Sequence, residues 1–413
     1  MTSRRFPLRY ARGNVLLGHD GDAAGLYRLG MSSYPFLPVS GKRRLAGALQ
    51  RFVQSVGADF SLWRVSRAYP AGRYVEHTRE LVDERHQTRE AWEEFLGGHR
   101  DRLAALRSHI PEVYLAVALP SEQSRRLGSG LVASVDRVRR RVEDLAGVAS
   151  ALPIPGRELE RIAGAEQRAY ERLTGVLNAR RARTGELQWL LRRACVRGVG
   201  EPSLDAHWQP DALVITTPDG QVAYEPLETD LWRCANAAIT ERDRALVVDG
   251  EDGRSYQALL ALGSLAEQPL FPGAGSELLF APLEAVSFPV DAVLHAGWIG
   301  NRQALGQVRR RIADVEHAYA EQVAGSAHGP GLLAAEDRLL ARELEANLQT
   351  GARPPMLYAT LSLAVGALTA QELERRVDAL REQYGDIALH RPVGLQYQLF
   401  LDHLPTPAGG HGR

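Results

Sequence analysis

The stretch ARPPMLYATLSLAVGALTAQELERRVDALREQYG, residues 352–385, decides the fold class. Its first half contains MLYATLSLAVGAL (356–368), the longest apolar run in the chain. That run is too short to span a bilayer and predicts a buried strand. Thr369 follows as a helix N-cap, and Glu372 stands three positions on, the spacing of a capping box. Leu373, Val377, Leu380 and Tyr384 then form one apolar stripe, and Gly385 sits where a left-handed helix stop belongs. A buried strand running into a capped amphipathic helix is half of a β-α-β unit, and DIALHRP (386–392) predicts the strand that closes it.

Working outward, EAVSFPVDAVLHAGWIG (284–300) predicts a strand region, with Pro289 at its start. A helix then carries Leu305, Val308, Ile312, Val315, Tyr319 and Val323 on one face. GSAHGPG (325–331) breaks it, and a second helix returns with Leu333, Leu340, Leu344 and Leu348. Residues 300–350 are therefore an αα-hairpin. Residues 59–147 show a similar order: the strand DFSLWRVSRAY (59–69), a charged helical stretch, the strand EVYLAVAL (112–119) and a helix with Val135, Val138, Val142 and Leu145. This order predicts an α+β fold of mixed sheets, built from ferredoxin-like, split βαβ units with helical-hairpin insertions.

Turn chemistry adds hairpins at His19-Asp20-Gly21-Asp22, Pro218-Asp219-Gly220 and Asp249 to Gly253. A helix is expected from about Ser40, its apolar face made by Leu45, Leu49, Phe52, Val53 and Val56. Residues 157–198 have helical composition with a bend near Gly185. The expected organisation is an α+β subdomain over 1–150, a helical connector over 151–210 and a second α+β subdomain over 211–405. Residues 406–413 have linker composition.

Composition excludes several classes. The chain has 413 residues, 45% apolar and 24% charged, which suits a packed globular protein. Fifty basic residues balance fifty acidic ones, so no nucleic-acid-coating surface is expected. Lys42 is the only lysine, a bias that a GC-rich genome explains. Cys195 and Cys234 are too few for a disulfide framework or a zinc site and read as buried apolar residues. The first residues lack the apolar core of a signal peptide, so a cytoplasmic protein is expected, docked at the inner face of a membrane at most through partners.

Catalytic motifs do not emerge. The only Gly-Lys pair lies in PFLPVSGKRRLAG (35–47), where Phe36 replaces the first glycine of a phosphate loop and Arg43 replaces its Ser or Thr. His77, His86, His99 and His109 lack ligand spacing, and His295 on an apolar strand reads as a satisfied core or edge residue. No catalytic, cofactor-binding or metal-binding residue is assigned. The Arg runs at 137–141, 180–183 and 309–311 each adjoin carboxylates and read as solvated helix faces or protein contacts.

The last third, with SFPVDAVLHAGWIGNRQALGQVRRRIADVEHAY, the quoted 352–385 stretch and LHRPVGLQYQLFLDHLP, resembles the N-terminal half of the conjugative-transfer ATPases. These are the fourth VirB component of type IV secretion and its TraC-like relatives in actinobacterial elements. RYARGNVLLGHDGDAAGLYRL is similar to their opening strands. The resemblance implies a non-catalytic module for assembly and docking, with ATP and Mg needed only by a P-loop motor outside this sequence. It also implies that motor and inner-membrane channel proteins as partners, and a homo-oligomer, a hexamer in that family. No direct contact with nucleic acid is expected. Arg309, Arg310, Arg391, Tyr397 and Phe400 are the candidate partner-contact residues. An unrecognised α/β enzyme and an Arg-rich DNA-binding accessory protein remain as alternatives.

Overall fold

The computed structural model describes residues 6–19, 21–30, 34–69, 71–81, 89–105, 109–121, 153–263, 271–272, 276–325, 332–385 and 387–407. The helix expected around Val135 to Leu145 lies outside the described residues.

The chain begins with three strands, β1 (Leu8–Arg12), β2 (Val15–Gly18) and β3 (Ala23–Leu29). Gly13 opens the turn between the first two at φ 61°, a conformation that favours glycine. Helix α1 (Val39–Val56), strand β4 (Phe60–Ala68), helices α2 (Ala71–Leu81) and α3 (Arg89–Ala105) and strand β5 (His109–Leu119) follow. After the short β6 (Ile154–Pro155) come α4 (Gly156–Thr174), β7 (Ala179–Arg181) and α5 (Thr184–Cys195). A hairpin, β8 (Ala212–Thr216) and β9 (Val222–Pro226), and helix α6 (Glu228–Cys234) intervene.

The second half repeats the first. It runs β10 (Ala237–Arg242), β11 (Ala245–Gly250), β12 (Gly253–Leu262), α7 (Ala281–Glu284) and β13 (Val290–Ile299). Then come α8 (Asn301–Gly325), α9 (Leu332–Leu348), β14 (Met356–Ala367), α10 (Ala370–Tyr384), β15 (Leu389–His390) and α11 (Gln396–Asp402). Even the first turns match: Arg12 faces Val15 across Gly13-Asn14, and Arg242 faces Ala245 across Asp243-Arg244.

One large sheet joins the repeats in the order β1-β2-β3-β5-β4-β13-β14-β12-β11-β10, with β7 on β3 and β15 on β12. Counted outward from the central β4–β13 pair, both sides read alike. Each repeat contains β-α-β-β-α-β with spatial order β7-β3-β5-β4 or β15-β12-β14-β13, the ferredoxin-like arrangement. The fold is α+β, as the sequence predicts. Every described ladder is antiparallel, so the sheet is not mixed. The reason lies in the split βαβ unit. Strands joined through one helix run parallel, but a third strand always sits between them. A separate small sheet, β6-β9-β8, lies outside this pattern.

The stretch 157–198, read from composition as helix with a bend, is broken by β7, which completes the first ferredoxin-like unit on β3. The Thr369 cap forms as expected, its hydroxyl accepting from Glu372 N–H at 3.2 Å. The Glu372 carboxylate turns instead to Arg376, so the reciprocal half of the capping box is not made.

Both faces of the sheet are covered, which is why apolar side chains dominate both faces of its central strands, interrupted by Ser61, Arg64, Ser66, Asp291 and His295. On β5, Leu115 and Val117 meet α1 and α4, while Tyr114 and Ala116 point to the other side. In the second repeat α7 and α10 cover the first of these faces over Leu260, Ala292, Leu363 and Val365. The opposite face is shared. Trp63 and Tyr114 of one repeat and Val293 and Ala364 of the other pack with α5, α6 and α11 in a single cluster. Phe400, Leu401 and Leu404 plug it; Phe400 is 2% exposed. Trp63 Nε1 donates to the His403 carbonyl at 3.2 Å. His295 Nε2 donates to the Asp402 carbonyl, which can only accept, so His295 Nδ1 accepts from the Ser61 hydroxyl. The expected satisfied histidine is found.

Phe400 was expected to contact a partner. It cannot, because the chain's own core already surrounds its ring. Phe400→Ala should cost about 3–5 kcal/mol by leaving a cavity under the sheet. Removing residues 393–407 should abolish cooperative urea unfolding followed by circular dichroism. A truncated chain that unfolds with the wild-type midpoint would refute this packing.

Polar contacts lock the same face. Asp291 on β13 is fully buried and accepts from Arg193 Nε and Arg197 Nε at 3.1 Å each, and from Ser66 N–H at 3.0 Å. Arg197 also donates to Gln257 Oε1 at 3.0 Å, and Gln257 donates to the Ala194 carbonyl at 2.9 Å. Burial by itself raises the Asp291 pKa, but the two guanidiniums and the Ser66 amide overcome it and hold the carboxyl below its ordinary value. Its stabilisation is therefore complete above the unfolded value, about 3.9, and is lost as pH falls through the lower folded value. Asp291→Ala should cost about 3–5 kcal/mol at pH 7, since it strands two buried cations. The gap to wild type should close on acidification below about pH 4. Stability measured against pH for the two proteins checks both parts.

Candidate protein-contact site

Two helical arms leave the body at equivalent points. Helices α2 and α3 are inserted between β4 and β5, and α8 and α9 between β13 and β14. β4 and β13 run antiparallel, so the arms depart from opposite ends of the sheet.

The second arm is closed at its base and open farther out. Ala304, Val308 and Ile312 of α8 and Leu348 of α9 are buried together, with Ile299 and Met356 beside them. Beyond them Val315 and Tyr319 are only half-buried. On α9 the exposure climbs from 3% at Leu348 to 41% at Leu344, 52% at Leu340 and 70% at Leu339. The periodicity that predicts the hairpin also supplies more apolar side chains than two helices can cover. Ionic contacts hold the helices together: Arg309 Nε to Glu345 at 3.0 Å, Arg342 to Glu316, and Arg338 5.1 Å over the Tyr319 ring. The result is a hairpin with a leucine stripe facing water, flanked by arginines.

The first arm presents aromatics. Val75 and Leu96 are buried, and Arg79 pairs with Glu93 through two bonds of 2.8 and 2.6 Å. On α3 the rings of Trp92, Phe95 and His99 stack in series, with centroids 5.3 and 5.8 Å apart, and Tyr74 of α2 joins at 5.4 Å from His99. Phe95 is 58% exposed. Sequence reasoning missed this ladder, although the i, i+3, i+7 spacing in AWEEFLGGH (91–99) carries it. Aromatic residues are enriched in protein interfaces.

The sequence candidates divide. Arg309 and Arg310 lie together on the second arm and are exposed. Arg309 bridges to Glu345, and Arg310 Nε donates to the Gly306 carbonyl. Arg391 lies far along the chain beside α10, its side chain 6% exposed, bonded to Glu374 and the Arg244 carbonyl. Tyr397 stacks on Phe400 at 6.3 Å and belongs with α11. Arg180 and Arg181 are engaged by Glu186 and Glu166, so they form no basic patch. Arg180 and Arg28, with the Arg183 amide, hold the Glu186 carboxyl at about 2 against the opposing effect of burial.

Lys42 is engaged within the chain. It lies in the first turn of α1, its N–H bonded to the Pro38 carbonyl and its ammonium 2.6 Å from Glu277. Among the described residues no group of three or more His, Cys, Asp or Glu side chains could hold a metal ion. Among the same residues no helix is long and apolar enough to cross a membrane.

Replacing Leu339, Leu340 and Leu344 together by Ser should lower the fluorescence of a bound hydrophobic dye and leave the melting temperature within about 2 °C, since the sites are exposed. A melting temperature lowered by far more would show that the stripe is core.

Compared with protein-family models, the chain matches none, and no curated protein matches it significantly.

Proposed function

We propose that this chain is a non-catalytic assembly and docking module of a conjugative DNA-transfer machine, working with a P-loop motor that these residues do not contain. The observation that carries the reading is the pair of arms, each of which exposes apolar or aromatic surface. Such surface is costly in water and is characteristic of a partner-binding face. The resemblance of residues 284–405 to the N-terminal half of conjugative-transfer ATPases supplies the class of machine. It also supplies the proposed partners, a P-loop motor and inner-membrane channel proteins, in a homo-oligomeric assembly.

The test is genetic and biochemical. The gene is examined for a neighbouring or continuing reading frame that encodes a P-loop protein, and the two are co-expressed with a tag on the motor. The wild-type chain should be retained. The triple Ser variant of α9 and Phe95→Ser should be lost, although both remain folded. Neighbouring frames without a P-loop or any transfer component, or arm variants retained like wild type, would overturn the proposal.

A further inference from the structure

The segment between the two repeats, 196–236, has no counterpart in the second repeat, and it carries β8 and β9, which with β6 of the first repeat form the small sheet β6-β9-β8. Among the described residues nothing lies beyond β8, so β8 is an edge. Asp211 accepts from Leu227 N–H and Thr217 donates to the Gln221 carbonyl. These bonds fix which residues turn toward β9: 211, 213, 215 and 217 face inward. The backbone groups of Ala212, Val214 and Thr216 therefore point outward.

Natural edge strands are blocked by charge, proline or a bulge. This one, ALVITT (212–217), has none of them. Leu213, Val214 and the neighbouring Val222 are exposed, Val214 at 66%.

We propose that β8 is a self-pairing edge, and that its occupant is β8 of a second copy of this chain running antiparallel across a twofold axis at Val214. The outward rungs are symmetric about that residue, so a second copy fits every rung except those that need the Ala212 N–H. The two Val214 residues exchange a central pair of backbone bonds, and each Thr216 N–H reaches the Ala212 carbonyl opposite. The Ala212 N–H is already taken by Asp211 Oδ1 at 2.8 Å. Side chains match in the same register: Val214 meets Val214, Leu213 meets Ile215, and Ala212 meets Thr216. Asp211 falls opposite Thr217, so no like charges are opposed. A charged partner strand would lose this fit. The pairing joins two small sheets into one of six strands and brings the exposed Val214 side chains of the two copies together. Its area is that of a weak, transient interface, with dissociation expected on the order of 10–100 µM.

This site is independent of the arms, and sedimentation velocity of the full chain over a concentration series tests it. The wild type should show a monomer–dimer equilibrium. Val214→Lys and Val214→Glu should each weaken it by about tenfold or more, because like charges then face each other. An equimolar mixture of the two variants should restore association, an outcome that only self-pairing at this residue produces. Circular dichroism melts of both variants confirm folding. Val214→Pro is the second probe: it deletes an outward N–H without touching the β9 ladder, so it should remain folded and monomeric. A wild type that stays monomeric throughout, as it would if another protein's strand fills the edge, overturns the proposal. So does association that none of these substitutions changes, or a Lys and Glu mixture that fails to recover it.

Discussion

The two repeats are held as one body by a buried carboxylate. Asp291 stands on β13, in the central strand pair, and gathers Arg193 from α5, the last helix of the first repeat, and Arg197 from the turn just beyond it. Through the Ser66 amide it also reaches β4. Without it, two guanidiniums would lie together in a medium that cannot solvate them. With it, α5 is pinned across the repeat boundary, and the face beneath becomes a floor on which α11 can settle. Gln257 continues the network, its amide satisfying the last carbonyls of α5. Such a network specifies position more than it adds stability, because an apolar replacement could pack as well but would not fix the angle.

The second constraint is the open face of a ferredoxin-like unit. Its two helices cover only one side of the sheet. In this chain each repeat ends in an extra helix, α5 or α11, and the two helices together with α6 cover the remaining side. Covering a double-width sheet this way makes the halves interdependent: Phe400, near the end of the second repeat, lies in one core cluster with Trp63 of the first. The two inserted arms and the hairpin between the repeats stay outside this shared core, and each carries exposed leucine, aromatic or valine side chains.

Much of this was legible. The strand and capped helix of 352–385, the hairpin of 300–350, and the turns at 218–220 and 249–253 follow from local chemistry, and the structure has them. So does the split βαβ order. The duplication was only glimpsed, since β7 is three residues of arginine-rich sequence and β15 is two residues long. Strands so short carry no periodicity, and only their partner strand defines them. The aromatic ladder was hidden for a different reason. Trp92, Phe95 and His99 sit among glutamates, and an exposed aromatic stripe has the same spacing as a buried one.

Sequence by itself determined most segments as helix or strand, though not β7 within 157–198, that a strand such as EVYLAVAL is covered on both faces, and that a helical hairpin at 300–350 and a charged helical stretch at 73–109 separate strands. These depend on spacing, capping and turn residues within a few positions of one another. Only the tertiary structure decided that Phe400 is core and Leu340 is surface. Both are apolar residues in amphipathic helices. The difference is what lies opposite: Phe400 meets a sheet face and the helices α5 and α6 that share it, whereas Leu340 lies where a two-helix arm has passed beyond the body. Burial is a property of the partner as much as of the residue, and a sequence does not state where its segments meet.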